Sequence, residues 1–480
     1  MSAVTLFLKL LIHTGSDPKL LRDLYHEGAN VPEGCMELKN IDGKYYLLVP
    51  SQVALAEPPI GSLCRPVSSM VHVPIPDTIA KYIPDDTADG EHVFSYIDKD
   101  TNKPLCLKLG QVTVFLNNIN RAYAIYKKVE SQYQNGLSLT VKNIAHSFFT
   151  VYSDYYGLDP IIACHISGWD HRDRYGPQLH YIHVPHHRLE REYLETFNQV
   201  DYAIRLNRYE LYKAGALREP VDACPAFKPL EATLNMTLPG YGSPYIPHEP
   251  YVANLMSTLR NCIDAEKTNQ VKRHNFYVVY TYLALQFATT MRPNNNPELQ
   301  WFHYNRRAGY IIIADKDSSK YREERTIFIP PVIQSLLNHL QDGWQTFSTT
   351  GRRRLCLSSQ RDMANNVFFS INEDGELIPF KLQMIRDVYT EIGLEFNLPT
   401  NMPRHYTRTR LFNGIERIEN SVAGIDNSVA DILMGHVRSG REVFNLLSTT
   451  RLSDAANVYL PAINELLDNI CISDVEYLVQ

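Results

Sequence analysis

The chain has 480 residues, of which 44% are hydrophobic and 21% charged, and its net charge is −6. This composition indicates a globular protein of roughly two to four domains and excludes a disordered chain. The acidic balance argues against a protein that coats nucleic acid without specificity. The sequence contains no apolar run long enough to span a bilayer, and its eight cysteines form no CxxC pair. We therefore expect a soluble cytoplasmic protein that makes no membrane contact.

The N-terminal half changes character near residue 108. Residues 1–108 mix short apolar runs with many Pro and Gly, which predicts a small β-containing or loop-rich accessory region of unknown role. Residues 109–235 are interpreted as a helical domain, because apolar side chains recur on one helical face at Val112, Phe115, Leu116, Ile119 and Ala122. The following Pro- and Gly-rich stretch predicts an interdomain linker at 236–249.

The C-terminal domain is predicted at 250–480 as mainly helical with a small β element. Its buried helix is FYVVYTYLALQFA at 276–288, which is apolar on nearly all sides. Two β-rich runs follow, GYIIIADKD at 309–317 and RTIFIPP at 325–331, and the charged loop between them predicts a hairpin. Further helices are predicted at 332–348, 380–393, 403–418, 427–435 and 453–468.

Residues able to carry chemistry follow the buried helix in a fixed order. Arg292 comes directly after that helix, Lys316 lies in the hairpin turn, and His405 and Arg408 are three residues apart at the start of a later helix. His436 follows a glycine after the next helix. Each residue has an ordinary alternative role: a surface ion pair, a solvated turn lysine or a helix C-cap. The ordered set is more specific than any member of it.

This ordered set resembles the catalytic domain of the tyrosine recombinase (phage integrase) family over residues 246–460. The resemblance implies that residues 109–235 form a core-binding domain, which closes around double-stranded DNA together with a mixed α/β catalytic domain. It implies site-specific strand cleavage through a 3′-phosphotyrosyl link and religation, as in integrases of mobile elements. It also implies no nucleotide cofactor, no metal and a tetramer on paired DNA sites.

The chemistry of the groups fits such a reaction. Breaking a phosphodiester without a metal requires cations on the nonbridging oxygens, and planar guanidinium groups bind these oxygens bidentately. Arg292 and Arg408 are the candidates for this clamp. A base with a pKa near neutrality must accept the proton of the nucleophile, which suits His405 or His436.

The leaving 5′ oxygen needs a proton donor, a role that the family resemblance gives to a hairpin lysine. Lys316 is our choice. Lys320 stays an alternative, because the turn is longer than the family's usual one and Lys320 lies five residues before Arg325, a spacing more typical of the family.

The nucleophile departs from the family pattern. Asn445 stands where the family usually has tyrosine, and the first tyrosine after His436 is Tyr459, followed only by Tyr477. Tyr459 lies near the start of the last predicted helix, where a longer preceding loop would deliver it to the phosphate. The alternative is that Tyr459 is a core aromatic residue of that helix.

Two other clusters have open interpretations. Residues 164–187 concentrate seven Cys and His residues, but no pair has a strong zinc-finger spacing, so a His-rich loop of a DNA-facing domain is favoured over a metal site. The triplet Arg352–Arg354 either contacts phosphates or forms a solvated loop. Between residues 250 and 451 there are 24 Lys and Arg against 20 Asp and Glu, a weak local excess of +4.

Two rival functions stay open at this point. A recombinase-derived DNA-binding protein that has lost cleavage explains the displaced tyrosine, although binding alone needs neither acid nor base. A type IB topoisomerase-like enzyme uses the same residues and relaxes DNA without exchanging partners.

Overall fold

The computed structural model describes residues 3–28, 31–51, 63–84, 91–97, 104–127, 139–168, 179–214, 227, 238–294, 299–318, 321–350, 365–394, 398–414, 427–435 and 451–477. The chain divides into two compact units. Unit 1 comprises Met1–Leu55 and Pro66–Gly242, and unit 2 comprises Ala56–Arg65 and Ser243–Gln480. In the described residues helix predominates over small β-sheets, as predicted for the fold class.

Unit 1 begins with helices and continues through short strands. Its helices are α1 (Ala3–Thr14), α2 (Pro18–Arg22), α3 (Asp77–Ala80), α4 (Leu109–Lys127), α5 (Val141–Phe148), a π-helical turn (Phe149–Tyr155), α6 (Pro160–Ser167) and α7 (His186–Lys213). Its strands are β1 (Tyr25–His26), β2 (Glu37–Ile41), β3 (Lys44–Pro50), β4 (Met70–Pro74), β5 (Ser95–Ile97), β6 (Pro104–Cys106), β7 (His183–Val184) and β8 (Tyr241–Gly242).

The main sheet of unit 1 has the order β1-β2-β3-β4. Strands β2 and β3 form a tight hairpin in which Ile41 pairs with Lys44. The two residues between them, Asp42 and Gly43, both have positive φ, at 51° and 83°. An Asp-Gly pair tolerates this conformation, which matches the twist of the flanking strands.

Since α1 packs against α4 and α5, residues before and after position 108 share one compact unit.

Unit 2 is a helical domain with one principal hairpin. Its helices are α8 (Glu249–Ala265), α9 (Gln270–Thr289), a 3₁₀ turn (Trp301–His303), α10 (Pro331–Thr350), α11 (Gln383–Glu391), α12 (Met402–Asn413), α13 (Asn427–Met434) and α14 (Leu452–Asn469). Its strands are β9 (Tyr304–Asn305), β10 (Tyr310–Ser318), β11 (Tyr321–Phe328), β12 (Phe369–Ile371) and β13 (Leu377–Pro379).

Helix α9 forms the centre of unit 2. Sixteen of its 20 residues are buried, because α8, α10, α11, α12, α14 and β12 pack around it. The apolar run at 276–288 predicts this central position, and the structure confirms it. Helix α9 ends at Thr289, after which Thr290 takes the left-handed conformation (φ 53°). The chain therefore turns sharply just before Arg292.

The predicted hairpin is present as β10 and β11, which pair antiparallel and continue into β9. The register shifts between Ala314 and Asp317, so a bulge interrupts the pairing at Lys316. The second strand starts earlier than predicted, at Tyr321. The sequence analysis also missed the small β12–β13 hairpin, whose strands have only three residues each.

The helices predicted beyond the hairpin correspond to α10 to α14. The largest difference is at α12, predicted to continue to residue 418. It ends at Asn413, because Gly414 adopts a positive φ of 73°. A sequence pattern locates the buried face of a helix better than its last residue.

Candidate active site

The candidate site lies in unit 2, where α12 packs against the C-terminal end of α9. The hydroxyl of Thr407 donates a hydrogen bond to Phe287 O (2.9 Å) and fastens the two helices together. Arg292 follows the end of α9 by three residues and is half-buried. The structure thus brings the segment carrying Arg292 to the helix that carries His405 and Arg408.

Helix α12 is unusual because its buried residues are largely polar. Among its first eight residues are Arg404, His405, Thr407, Arg408 and Thr409, all of them buried. Burial of a charged side chain costs several kcal/mol unless hydrogen bonds compensate for the lost water. A core position that departs from the apolar pattern in this way is typical of a functional site.

Arg404 joins two helix ends. Its Nη1 donates to Thr290 O (2.5 Å) at the end of α9, and its Nη2 donates to Met434 O (2.6 Å) at the end of α13. The hydroxyl of Thr290 donates to Leu433 O (2.6 Å) across the same junction. Helix C-termini carry partial negative charge, so a guanidinium between two of them is well placed.

Arg325 approaches the same junction from β11. Its side chain is buried, and its Nη2 donates to Thr289 O (3.4 Å). Gly435 lies against this guanidinium with a φ of 62°, and a Cβ atom at that position would lie 2.6 Å from Arg325 Nη1. A side chain at this position would be strained by the positive φ and would have to displace the guanidinium. We call Arg325, Arg404 and Arg408, with His405, the arginine cluster.

His405 is held at both ring nitrogens. Ser243 Oγ lies 2.8 Å from Nδ1, and Asn401 Nδ2 lies 2.9 Å from Nε2. Tyr245 contacts the ring edge-on, with a centroid distance of 5.6 Å and an interplanar angle of 81°. The imidazole therefore has a fixed orientation.

Arg408 is fully buried and lies one helical turn beyond Arg404. Its spacing of three residues from His405 puts both side chains on one face of α12, as the sequence predicts. Arginine keeps its charge at any accessible pH. Arg408 therefore carries a permanent positive charge on the face of α12 that also carries His405.

Tyr459 lies in α14, and its side chain is only 3% exposed. Its hydroxyl accepts a hydrogen bond from Phe328 N (2.9 Å) and donates one to Phe328 O (3.2 Å) at the end of β11. Burial raises the pKa of the Tyr459 phenol well above its ordinary value. In this conformation the hydroxyl is occupied by the backbone of β11.

Tyr477, the other tyrosine after residue 436, is also buried. Its hydroxyl bonds to His274 Nδ1 (2.7 Å), and burial raises the pKa of its phenol. Neither hydroxyl is directed at the arginine cluster by these hydrogen bonds.

Other predicted site residues fall beyond the structural description. Lys316 lies in β10, but its side chain is not described. Lys320, His436 and Arg352–Arg354 lie outside the described residues. Gly435, the neighbour of His436 in sequence, is the residue packed against Arg325.

Four described residues of the His-rich segment are buried in unit 1, namely Cys164, His165, His183 and His186, whereas His180 is exposed. His165 is fully buried in α6, and burial lowers its pKa to about 4. His186 Nδ1 lies 2.7 Å from the hydroxyl of Tyr241. His165 and His186 therefore pack inside the unit and not in a DNA-facing loop, while His171 lies outside the described residues. Within the described part of the chain, no group of three or more His, Cys, Asp or Glu side chains is arranged to hold a metal ion.

Four site residues were missed by sequence reasoning. Asn401 and Arg404 both precede the predicted His405 on α12. Nothing in the string PRHYTRTR distinguishes a bridging arginine from the arginines beside it. In the sequence, Arg325 is notable only for its distance of five residues from Lys320. Ser243 lies 162 positions from its partner His405. Such distant pairings leave no local pattern in a sequence.

Comparisons with known proteins add little to this geometry. No protein-family model matches the chain, and no curated protein matches it. A search of solved structures finds a crystal structure of XerA recombinase at 12% identity, covering 74% of this chain and 98% of that chain. Its TM-score is 0.25, so the superposition is too poor to assign a fold or a function. In the ranges that the structure describes, no helix is both long and apolar enough to cross a membrane.

Proposed function

We propose that the protein binds duplex DNA and cleaves and rejoins one strand by tyrosine recombinase chemistry. The observation that carries the proposal is the burial of Arg404, His405 and Arg408 on one polar helix, packed on the end of α9 that leads to Arg292. This is a concentration of positive charge and one imidazole in a protein whose net charge is −6.

A phosphodiester is the substrate that such a group fits. Negative charge grows on the nonbridging oxygens as the nucleophile attacks phosphorus, and preorganised guanidinium groups stabilise that charge. Arg292 and Arg408 are proposed to hold these oxygens, which requires Arg408, fully buried in this conformation, to become accessible when DNA binds. Arg404 and Arg325, bonded to helix ends, are proposed to keep the clamp in place.

The proposed reaction conserves one phosphodiester bond at each step. A tyrosine oxygen bonds to phosphorus, its proton passes to His405 or His436, and the 5′ oxygen of the DNA leaves with a proton from Lys316 or Lys320. Attack by a 5′ hydroxyl of a partner strand reverses the step. Two strands at paired sites require several copies, so we propose a tetramer on DNA.

Tyr459 is the proposed nucleophile, since it is the first tyrosine after the site motifs. Its hydroxyl must leave Phe328 before it can attack a phosphate, because both hydrogen-bonding roles of the phenol are taken by that residue. The proposal therefore requires α14 to shift when DNA binds.

A second candidate, a DNA-binding protein without cleavage activity, is favoured by the hydrogen bonds of Tyr459 to Phe328. These bonds give the buried tyrosine a purely structural role, and the arginine cluster would bind a phosphate without it. Both candidates predict duplex binding that weakens steeply between about 50 and 200 mM salt, because each neutralised phosphate releases counterions.

Covalent trapping separates the two candidates. Duplexes selected from a random-sequence pool would be nicked beside the binding site, so that the cleaved fragment escapes and the protein–DNA adduct accumulates on a denaturing gel. The wild-type protein is expected to form the adduct, with or without a chelator. The variant Tyr459→Phe, which keeps the buried ring, is expected to bind equally well and form none.

Tyr477→Phe is the matched control, because it also removes one buried phenolic hydroxyl from unit 2 and should leave the adduct in place. An adduct that persists in Tyr459→Phe and disappears in Tyr477→Phe would assign the nucleophile to Tyr477. Tight binding without any adduct in the wild type would favour the second candidate.

A further inference from the structure

Ser243 begins the longer of the two segments of unit 2 and lies far in sequence from every motif of the candidate site. Its side chain is fully buried, and its Oγ lies 2.8 Å from Nδ1 of His405. We propose that Ser243 is a positioning residue that, together with Asn401, keeps the proton of His405 on Nδ1, which leaves Nε2 as the nitrogen that meets the DNA. The catalytic consequence rests on the proposed function, but the position of the proton does not.

The amide of Asn401 is the group that selects one tautomer of His405. Asn401 presents its amide nitrogen to Nε2 at 2.9 Å, and an amide nitrogen can only donate. Nε2 must then accept, so the proton of the neutral ring resides on Nδ1. From Nδ1 it is donated to Ser243 Oγ, which has two lone pairs and also accepts a weaker hydrogen bond from Tyr245 N (3.3 Å).

The two partners of His405 differ in accessibility. Ser243 is 0% exposed, whereas Asn401 is half-buried at the start of α12. Asn401 also makes no side-chain cap hydrogen bond to its helix. Asn401 is therefore the partner that an incoming group can replace, and Ser243 is the partner that stays.

The backbone around Ser243 is held within unit 2. Ile246 O accepts a hydrogen bond from Arg65 N (2.8 Å), and His248 N donates one to Leu63 O (2.8 Å). Pairing of residues 63–65 with residues 246–248 anchors the chain directly after Ser243. A hydroxyl on an anchored segment orients an imidazole more rigidly than a side chain on a free loop would.

A base with its lone pair on Nε2 suits the proposed reaction. The phenol proton moves to a bare nitrogen, and the imidazolium that forms keeps its Nδ1–H bonded to Ser243. A histidine in the other tautomer would present an N–H to the phenol and could not accept its proton.

The test measures the tautomer directly, independent of any DNA reaction. The full-length protein would be labelled with ¹⁵N in its histidine rings, and the ring nitrogens observed by long-range ¹H–¹⁵N correlation above the pH at which the ring protonates. His405→Gln identifies the His405 signals by their loss. We expect a protonated Nδ1 and a bare Nε2 in the wild type.

Ser243→Ala leaves a buried Nδ1–H without an acceptor, so it is expected to abolish the exclusive Nδ1–H form and give a mixture of tautomers. Ser243→Thr restores that form by restoring the hydroxyl. Ser335→Ala is the matched control, because Ser335 in α10 bonds Asp474 at the surface. It should leave the His405 signals unchanged. A wild-type ring protonated on Nε2, or unaltered signals in a folded Ser243→Ala, would overturn the inference.

If the covalent adduct forms, single-turnover cleavage gives a second readout. Ser243→Ala should lower the cleavage rate by about tenfold or more with little change in DNA affinity, because a histidine in the wrong tautomer is a poor base. Failure of the proposed function would appear as absence of any adduct with the tautomer result intact. Failure of this inference would appear as normal cleavage and an unaltered ring in Ser243→Ala.

Discussion

Each unit buries a polar cluster, and the two clusters differ in charge. In unit 1 the cluster consists of Tyr46, His72, His186, Glu190 and Tyr241, and we call it the histidine cluster. The Tyr241 hydroxyl contacts His72 N (3.0 Å) and His186 Nδ1 (2.7 Å), while Tyr46 donates to Glu190 Oε1 (3.3 Å). These side chains bond to one another across β3, β4, α7 and β8. In unit 2 the described hydrogen bonds of Arg325 and Arg404 go to backbone carbonyls at helix ends.

The difference separates a structural cluster from a candidate site. Histidine can lose its charge on burial, and burial lowers the pKa of His72 to about 4. Arginine cannot, so each guanidinium of the arginine cluster keeps its charge. A buried polar group indicates function chiefly when its charge persists.

The largest expected effect is the acid sensitivity of unit 1. Among the residues described, burial lowers the pKa of three histidines of unit 1, His13, His72 and His165, to about 4. In unit 2 it lowers the pKa of His274 to about 4. These rings bind protons more weakly when folded than unfolded, where the pKa is about 6.5. Their stabilisation is complete above pH 6.5 and is lost as the pH falls towards 4, by several kcal/mol in total at about 1.4 kcal/mol per pKa unit.

Hydrogen exchange at a series of pH values, corrected for the intrinsic exchange rate, would measure this loss in peptides from β3–β4 and from α9. Unit 1 is expected to open first. The variant His165→Leu should reduce the pH dependence of unit 1 alone. Earlier opening of α9 would contradict the comparison.

The second effect concerns Arg404. Replacing it by Ala leaves two buried helix-end carbonyls without their donor and creates a cavity, so the free energy of unfolding should fall by roughly 3–5 kcal/mol. Chemical denaturation measures the loss. Arg260→Ala is the control, because Arg260 donates to Ser473 at an exposed position and should cost little. Equal small losses would mean that Arg404 does not hold the helix junction.

The third effect is on cleavage. Arg408→Ala should reduce the single-turnover cleavage rate by about 100-fold or more, since the guanidinium is needed most when charge develops on the phosphate. DNA affinity should change far less. Arg410 lies on the same helix and forms an ion pair with Glu249. Arg410→Ala is therefore the control, and it should leave cleavage near the wild-type rate. A similar loss in both variants would point to a general disturbance of α12.

The smallest effect is at Gly435. Gly435→Ala should lower the free energy of unfolding by about 1–3 kcal/mol, because the residue has a positive φ and its Cβ would press on Arg325. Gly393→Ala separates these causes, since Gly393 has a φ of 74° with no atom within 4 Å of the added Cβ. Thermal melting of both variants is the measurement. A smaller loss at Gly435 than at Gly393 would show that Arg325 yields to the methyl group.

Much of unit 2 follows from local patterns. The all-round apolar run of α9 requires burial on every side, and the two β-rich runs on either side of a charged loop predict the pairing of β10 with β11. The spacing of His405 and Arg408 places them on one face of a helix. Each of these inferences uses residues that are close in sequence, where backbone periodicity alone fixes which side chains are neighbours.

The nucleophile could not be inferred in the same way. The sequence leaves Tyr459 as either a nucleophile or a core aromatic residue, and the structure describes its hydroxyl on Phe328, 131 positions away. That contact depends on how α14 packs against β11. No periodicity within α14 encodes it.

The sequence by itself determined the helical fold class, the central helix α9, the β10–β11 hairpin and the presence of His405 and Arg408 on one helical face. Only the tertiary structure decided that Arg404 bridges two helix ends, that Ser243 holds His405, and that the hydroxyl of Tyr459 lies against β11. The physical reason is that hydrophobic periodicity is a property of one segment, whereas a buried polar group is satisfied by whichever segment folding brings beside it.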